Sequence, residues 1–155
     1  MPHREAERFM QGSCINMRLG FANGCWDLFH AGHKHFLMLA SQQCEYLIVA
    51  VNSDASVERL KGFPRPYDCL HKRMTAVRRY ADSVIPFEGR EEKLIMEIRP
   101  HVVFKGYDHS SPEFLAMRKP GWKESGEWDR VEIVQISHLP GFSTTNEAKL
   151  NAPSR

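Results

Sequence analysis

The chain has 155 residues, 42% of them hydrophobic and 26% charged, with a formal charge of +2 at neutral pH; these are the proportions of one ordinary globular domain with a core of its own. Balanced charge without a basic run argues against a nucleic-acid partner, and no stretch approaches the roughly 18 consecutive apolar residues of a membrane span. The polar start MPHREAERFMQGSC has no apolar signal segment and the four cysteines have no disulfide or ligand spacing, so the cytoplasm is the expected compartment.

Residues 1–16 show no periodicity and are expected to form an N-terminal extension, leaving 17–155 as the domain. Met17 to Ala22 is an apolar segment that leads into Asn23 and Gly24, as a first buried strand does. The string GCWDLFHAGHKHF then reads as a glycine-containing turn followed by a helix that carries His30, His33 and His35 and has an apolar face at Phe36, Leu37, Leu39 and Ala40. YLIVAV, Tyr46 to Val51, is the continuous apolar run of a strand buried on both faces, and Asn52, Ser53 and Asp54 suit a turn and a helix cap.

A short helix from Ala55 to Leu60 gives way to KGFPRPYD, whose prolines and glycine place Lys61 and Arg65 on an irregular loop. Asp68 reads as the cap of a helix from Cys69 to about Tyr80 that contains Arg73. Ser83 to Phe87 is a short strand, Arg90 to Arg99 an amphipathic helix with Leu94, Ile95 and Ile98 inward, and Val102 to Phe104 a further strand followed by Lys105, Gly106, Tyr107 and Asp108. A helix is expected to start at Pro112, an irregular segment spans Lys119 to Arg130, Val131 to Ile136 is the last strand, and Ser143 or Thr144 caps a closing helix.

This alternation predicts a Rossmann-like α/β fold: an open, mainly parallel five-stranded sheet with helices on both faces. Ligands of such sheets bind beyond the strand C-termini. The polar clusters Gly24 to His33, Asn52 to Asp54, Lys105 to Asp108 and Ser143 to Thr145 all follow strands, which puts them on one edge. At that edge, His30 and His33 lie three residues apart on one helix face, Gly24 and Gly32 remove side chains, and a helix N-terminus offers amides and partial positive charge. Imidazoles, amides and a helix end aimed at one volume suit the oxygens of a nucleoside triphosphate. A zinc site is the weaker reading of the histidines, because no Cys pair or HExxH partner lies nearby, and no protein-held metal is expected. Cys25, beside the helix, is expected to have a stabilised thiolate.

GCWDLFHAGH resembles the signature of the HxGH nucleotidyltransferases. Over Gly20 to Leu150, the strings VNSDASVERLKG, RP, RM, VVFKG and GFSTT resemble the heptose-1-phosphate adenylyltransferase branch, whose members make ADP-heptose for bacterial surface polysaccharides. The resemblance implies an enzyme that joins the adenylyl group of ATP to a sugar 1-phosphate and releases pyrophosphate, with Mg²⁺ accompanying the ATP. His30, His33, Lys61 and Arg73 take catalytic roles on this basis. Asn23, Gly24, Cys25, Trp26, Gly32, Lys105, Gly106, Ser143, Thr144 and Thr145 fall to the nucleotide, and Asp27, Asn52, Asp54, Arg65 and Asp108 to the acceptor. A symmetric homo-oligomer in the stand-alone form, without an attached sugar-kinase domain, is also implied, as are ATP and a sugar phosphate as the partners. Trp26 departs from the usual phenylalanine, and GWKESGEWDR is longer than its counterpart. Two other readings remain: a CTP-dependent glycerol-3-phosphate cytidylyltransferase and a nucleotide-binding protein without turnover.

Overall fold

The computed structural model describes residues 17–106, 131–137, 140, 141 and 148. Strands β1 (Leu19–Gly24), β2 (Tyr46–Asn52), β3 (Ser83–Phe87), β4 (Val102–Gly106) and β5 (Glu132–Ile136) alternate with helices α1 (Ala31–Ser41), α2 (Asp54–Lys61), α3 (Leu70–Val77) and α4 (Glu91–Ile98). The strands form one sheet in the order β3-β2-β1-β4-β5, and every neighbouring pair is parallel. The expected five-stranded α/β architecture is therefore observed.

The two faces of β2 explain its unbroken apolar sequence. Leu47, Val49 and Val51 enter a core with Leu37 and Ala40 of α1 and Val77 of α3. Ala50 and its half-buried neighbour Ile48 point the other way, towards Phe21, Val103 and Ile95 of α4. Side chains alternate across a strand, so a strand covered by helices on both sides needs apolar residues at every position. Leu94, Ile95 and Ile98 do face inward from α4 as predicted. Gly20 shows how closely the layers meet: a Cβ there would lie 2.7 Å from both Cys44 Sγ and the Phe104 ring.

Chain reversal in strand order occurs between β1 and β4. From β1 the chain builds outward through β2 to β3, then returns to lay β4 and β5 on the other side. At such a switch point the connections leave β1 and β4 in opposite directions, and a crevice opens past their C-termini. The ladders reflect this. β1 pairs with β2 as far as Gly24↔Val51, whereas its ladder with β4 consists of Gly20↔Val102 and Phe21↔Val103.

Two local expectations are corrected. β1 runs on through Asn23 and Gly24, so the turn begins only at Cys25. Cys69, not Asp68, is the N-cap of α3, and it makes no side-chain capping bond. The Asp68 carboxylate instead accepts from Lys72 Nζ at 3.0 Å, and its own amide is drawn to Asp27. The elements expected at Pro112 to Arg118 and Lys119 to Arg130 lie outside the described residues, as do all residues from Ser143 onward but 148.

Candidate nucleotide and phosphate site

The turn between β1 and α1 is the centre of the site. Trp26 and Leu28 adopt left-handed φ angles of 55° and 46°, a conformation that costs a side-chain-bearing residue about 1–3 kcal/mol. Asp27 between them is completely buried. Its carboxylate accepts from Arg65 Nε (2.7 Å), from the amides of Tyr67 (2.9 Å) and Asp68 (2.9 Å), and from Leu28 N–H (3.1 Å). Burial raises the Asp27 pKa, but the Asp68 and Tyr67 amides and Arg65 outweigh it and hold the carboxyl below its ordinary value. One buried carboxylate thus fixes the strained turn and ties it to the PRPYD loop. Asp27 and Arg65 were both expected at the acceptor; the structure places them against each other.

His30 is not on the helix with His33, as the spacing predicts, but caps it. His30 Nδ1 accepts from Gly32 N–H (3.1 Å) while His33 Nδ1 accepts from His30 N–H (3.3 Å), a reciprocal capping box made of two imidazoles. The rings nevertheless stack, with centroids 3.7 Å apart and planes 21° from parallel. The expectation that the first amides of this helix are free for an anion is corrected at Gly32, whose amide the cap takes. An imidazole whose Nδ1 accepts carries its proton on Nε2, so each ring carries an Nε2–H.

Aromatic packing holds His33 in that state. Phe29 stacks on it at 5.3 Å, Trp26 meets it edge-on at 5.5 Å, and Tyr80 backs Phe29 at 5.6 Å. Burial, with the field of His30 second, pushes the His33 pKa down to about 3, so the ring is neutral at physiological pH. Trp26 is turned inward and its Nε1–H donates to the Ala50 carbonyl at 3.2 Å. Gly24 makes room for that ring: a Cβ there would stand 3.2 Å from the indole.

Arg73 is 1% exposed. Its Nη1 donates to the carbonyls of Cys25 and Asn52 (both 2.7 Å), its Nε to the Asp68 carbonyl (2.9 Å) and its Nη2 to Asp54 (2.7 Å). It joins the ends of β1 and β2 to the starts of α2 and α3 from inside the protein. The Asn52 side chain is likewise buried and donates to Ser56 Oγ at 2.9 Å, while Asp54 is half-exposed. Lys61 is an exposed residue at the C-terminal end of α2. Burial raises the Cys25 thiol pKa, and Lys61, Arg73 and Arg65 oppose that rise without cancelling it. The expected thiolate is therefore overturned, and the same balance places three cations around the turn.

Across the switch point, Lys105 of β4 donates to Asn23 Oδ1 (3.0 Å) and Glu91 Oε2 (2.6 Å). Gly106 ends the same strand, opposite Ile136. Glu91, Phe29 and Tyr80 were not anticipated from the sequence. Asp108, Ser143, Thr144 and Thr145 lie outside the described residues. The carboxylates at this edge are already engaged, Asp27 with Arg65, Asp54 with Arg73 and Glu91 with Lys105, and no group of three potential metal ligands occurs among the described residues. Among the described residues, then, no set of side chains fits a protein-held divalent ion.

Residues 21–137 match the family described as cytidylyltransferase-like. The chain belongs to that family. This cytidylyltransferase-like protein is 41% identical over 132 residues to the bifunctional protein HldE of Proteus mirabilis (strain HI4320), covering 83% of this chain and 27% of the relative. It is 40% identical over 139 residues to the protein of the same name from Haemophilus influenzae (strain PittEE), covering 88% and 28%. The chain thus spans about a quarter of the length of these relatives. Among solved structures, the lipopolysaccharide core biosynthesis protein from Thermoplasma volcanium superposes with a TM-score of 0.67 at 27% identity, over 80% of this chain and 99% of the other. Pantothenate synthetase from Thermus thermophilus shares the fold, with a TM-score of 0.60 at 14% identity over 88% and 62%.

Proposed function

We propose that the chain is a nucleotidyltransferase that joins the adenylyl group of ATP to a heptose 1-phosphate, forming ADP-heptose and pyrophosphate. The observation that carries this reading is the stacked pair His30 and His33, whose Nδ1 atoms accept in the helix cap, which puts the proton of each ring on Nε2, the kind of donor that phosphate oxygens accept from. The sequence resemblance to heptose-1-phosphate adenylyltransferases and the likeness to a lipopolysaccharide core biosynthesis protein support the choice of acceptor.

In the reaction a phosphate oxygen of the acceptor attacks the α-phosphorus of ATP. The new P–O bond forms as the bond to the bridging oxygen breaks, and pyrophosphate leaves with that electron pair. A sugar phosphate is already a nucleophile at neutral pH, so catalysis consists of alignment and of stabilising charge in the transition state. His30 and His33 donate to oxygens of the phosphate undergoing substitution. Lys61 supplies positive charge beside the turn, Arg65 holds Asp27, and Arg73 fixes the floor of the site. Asn23, Gly24, Gly32, Lys105 and Gly106 border the nucleotide, and by resemblance Ser143, Thr144 and Thr145 hold the β- and γ-phosphates and Asp108 the acceptor. Mg²⁺ enters as the counterion of the triphosphate, where it supplies charge neutralisation, and not through a protein cage. No helix among the described residues is long and apolar enough to cross a membrane, and we place the enzyme in the cytoplasm as a homo-oligomer.

The test is pyrophosphate release with ATP or CTP, each paired with heptose 1-phosphates or glycerol 3-phosphate. Release confined to ATP with a heptose 1-phosphate is the expected result. Release with CTP and glycerol 3-phosphate moves the enzyme to the cytidylyltransferase reaction, and nucleotide binding without release makes it a binding protein.

A further inference from the structure

Lys105 and Glu91 form an ion pair at 2.6 Å in which each residue is only 8% exposed. A buried ion pair adds little net stability, since desolvation of the two charges offsets most of their attraction, and apolar residues of the same volume commonly do as well. A pair of this kind at a ligand edge therefore calls for a use other than stability. Its place in the fold is specific. Asn23 on β1 and Lys105 on β4 are joined by side chains at 3.0 Å just beyond Phe21↔Val103, where the ladder between these strands ends. The ammonium thus bridges the C-terminal ends of the two switch-point strands and the start of α4.

An ammonium has three N–H donors. Glu91 and Asn23 take two, and the third has no partner among the described residues. The ligand for that donor follows from the charges around it. Glu91 is the first residue of α4 and balances the ammonium, so the pair is neutral overall. A phosphate group bound to the third donor would share one nitrogen with the Glu91 carboxylate, and two anions held that close repel each other. A hydroxyl oxygen accepts the same hydrogen bond without that repulsion.

We infer that Glu91 is a positioning residue that anchors and neutralises Lys105, and that the free N–H of Lys105 binds a neutral sugar hydroxyl, not a phosphate, of one of the two substrates. The inference rests on the nucleotidyltransfer reading and adds to it a residue and a ligand group. Such a hydroxyl occurs on the ribose of ATP and on the acceptor sugar, and kinetics with the two substrates separates them.

The variants are K105M/E91Q and E91Q, assayed by pyrophosphate release and by calorimetric titration of ATP and of heptose 1-phosphate, with thermal unfolding as the check on folding. The double replacement removes both charges together and melts within a few degrees of wild type, but KM for one substrate rises about tenfold or more. Inhibition by inorganic phosphate and pyrophosphate is unchanged in it. A rise confined to ATP puts the hydroxyl on the ribose, and a rise confined to heptose 1-phosphate puts it on the acceptor. Weaker inhibition by phosphate or pyrophosphate makes Lys105 a phosphate ligand and overturns the inference, and wild-type KM values make the pair purely structural and overturn it as well. E91Q alone leaves an acceptor for Lys105 but no compensating charge, so inorganic phosphate inhibits several-fold more tightly; unchanged inhibition removes Glu91 from the assignment. Wild-type protein that releases no pyrophosphate with any acceptor refutes the parent reading, and the calorimetric split between the two ligands still decides the hydroxyl.

Discussion

His30 and His33 cap one helix reciprocally: the Nδ1 of each accepts a backbone N–H, and their rings lie 3.7 Å apart. The same contacts that complete the helix N-terminus set which nitrogen of each ring carries the proton. Structure and chemistry are therefore separable at His30 by choice of replacement. His30→Asn keeps an N-cap oxygen and should unfold within about 0.5 kcal/mol of wild type, whereas His30→Ala should lose about 1 kcal/mol. Both should lower kcat by about 100-fold, because both lack the Nε2–H. Chemical denaturation read beside steady-state rates checks this, and near-wild-type turnover in the Asn variant would assign His30 to capping alone.

His33→Ala should lower kcat by about 100-fold while the affinity for ATP changes much less, as expected of a donor whose contact strengthens in the transition state. Equilibrium binding of ATP to the variant separates the two quantities. Lost affinity with unchanged turnover would make His33 a ground-state ligand.

Acid stability should carry the mark of the same residue. The folded-state pKa of His33 is depressed from 6.5 to about 3, so between those values the unfolded chain binds the extra proton. Stability contributed by neutral His33 is then complete above about pH 6.5 and is lost as pH falls towards 3, with a slope of up to about 1.4 kcal/mol per pH unit. Asp27, whose pKa is also lowered, adds a further loss below its unfolded value of 3.8. Denaturation midpoints between pH 7 and pH 4 should fall in wild type and fall less steeply in His33→Asn. Parallel profiles would place the titrating group elsewhere.

The sequence makes the parallel sheet legible because burial on both faces writes itself as YLIVAV, and it makes the ligand edge legible because polar residues follow each apolar run. It shows much less of what the polar residues touch. HAGH has the same spacing whether His30 lies on the helix or caps it; only the extended backbone at His30 decides, and that depends on the turn held by Asp27. Glu91 looks like any acid in a first helical turn, and its bond to Lys105, fourteen residues away, arises from how α4 crosses to β4. Arg73 reads as one cation among several on an amphipathic helix. Its burial follows from carbonyls that three separate segments turn towards it.

Asp27→Asn should destabilise the fold by about 3 kcal/mol. The replacement is nearly the same size, so packing is kept, but the amide nitrogen must face donors that the carboxylate accepted from, and Arg65 is left without its charge partner. Because the turn carrying His30 is strained at Trp26 and Leu28, loosening it should also reduce kcat. Arg65→Met in the same background should recover part of the stability, since it removes the unpaired cation. A double-mutant cycle in thermal unfolding measures this coupling, and additive effects would show that the two side chains act independently.

Arg73 gives the clearest contrast between holding a site together and binding its ligand. A guanidinium that donates to three carbonyls and a carboxylate from the interior leaves all of these acceptors without a charged donor when it is removed. Arg73→Met should therefore lose about 3–5 kcal/mol, and Arg73→Lys should recover only part of it, because an ammonium has three donors in a compact head and cannot span positions served by a planar fork. Any activity left should show reduced kcat through displacement of the Cys25 and Asn52 backbone at the ends of β1 and β2. Melting temperature and ATP affinity, measured together on the lysine variant, separate the roles. A large fall in melting temperature with ATP affinity nearly retained fits a positioning residue. Intact melting with ATP affinity lost would mean that the guanidinium turns outward and meets a phosphate directly.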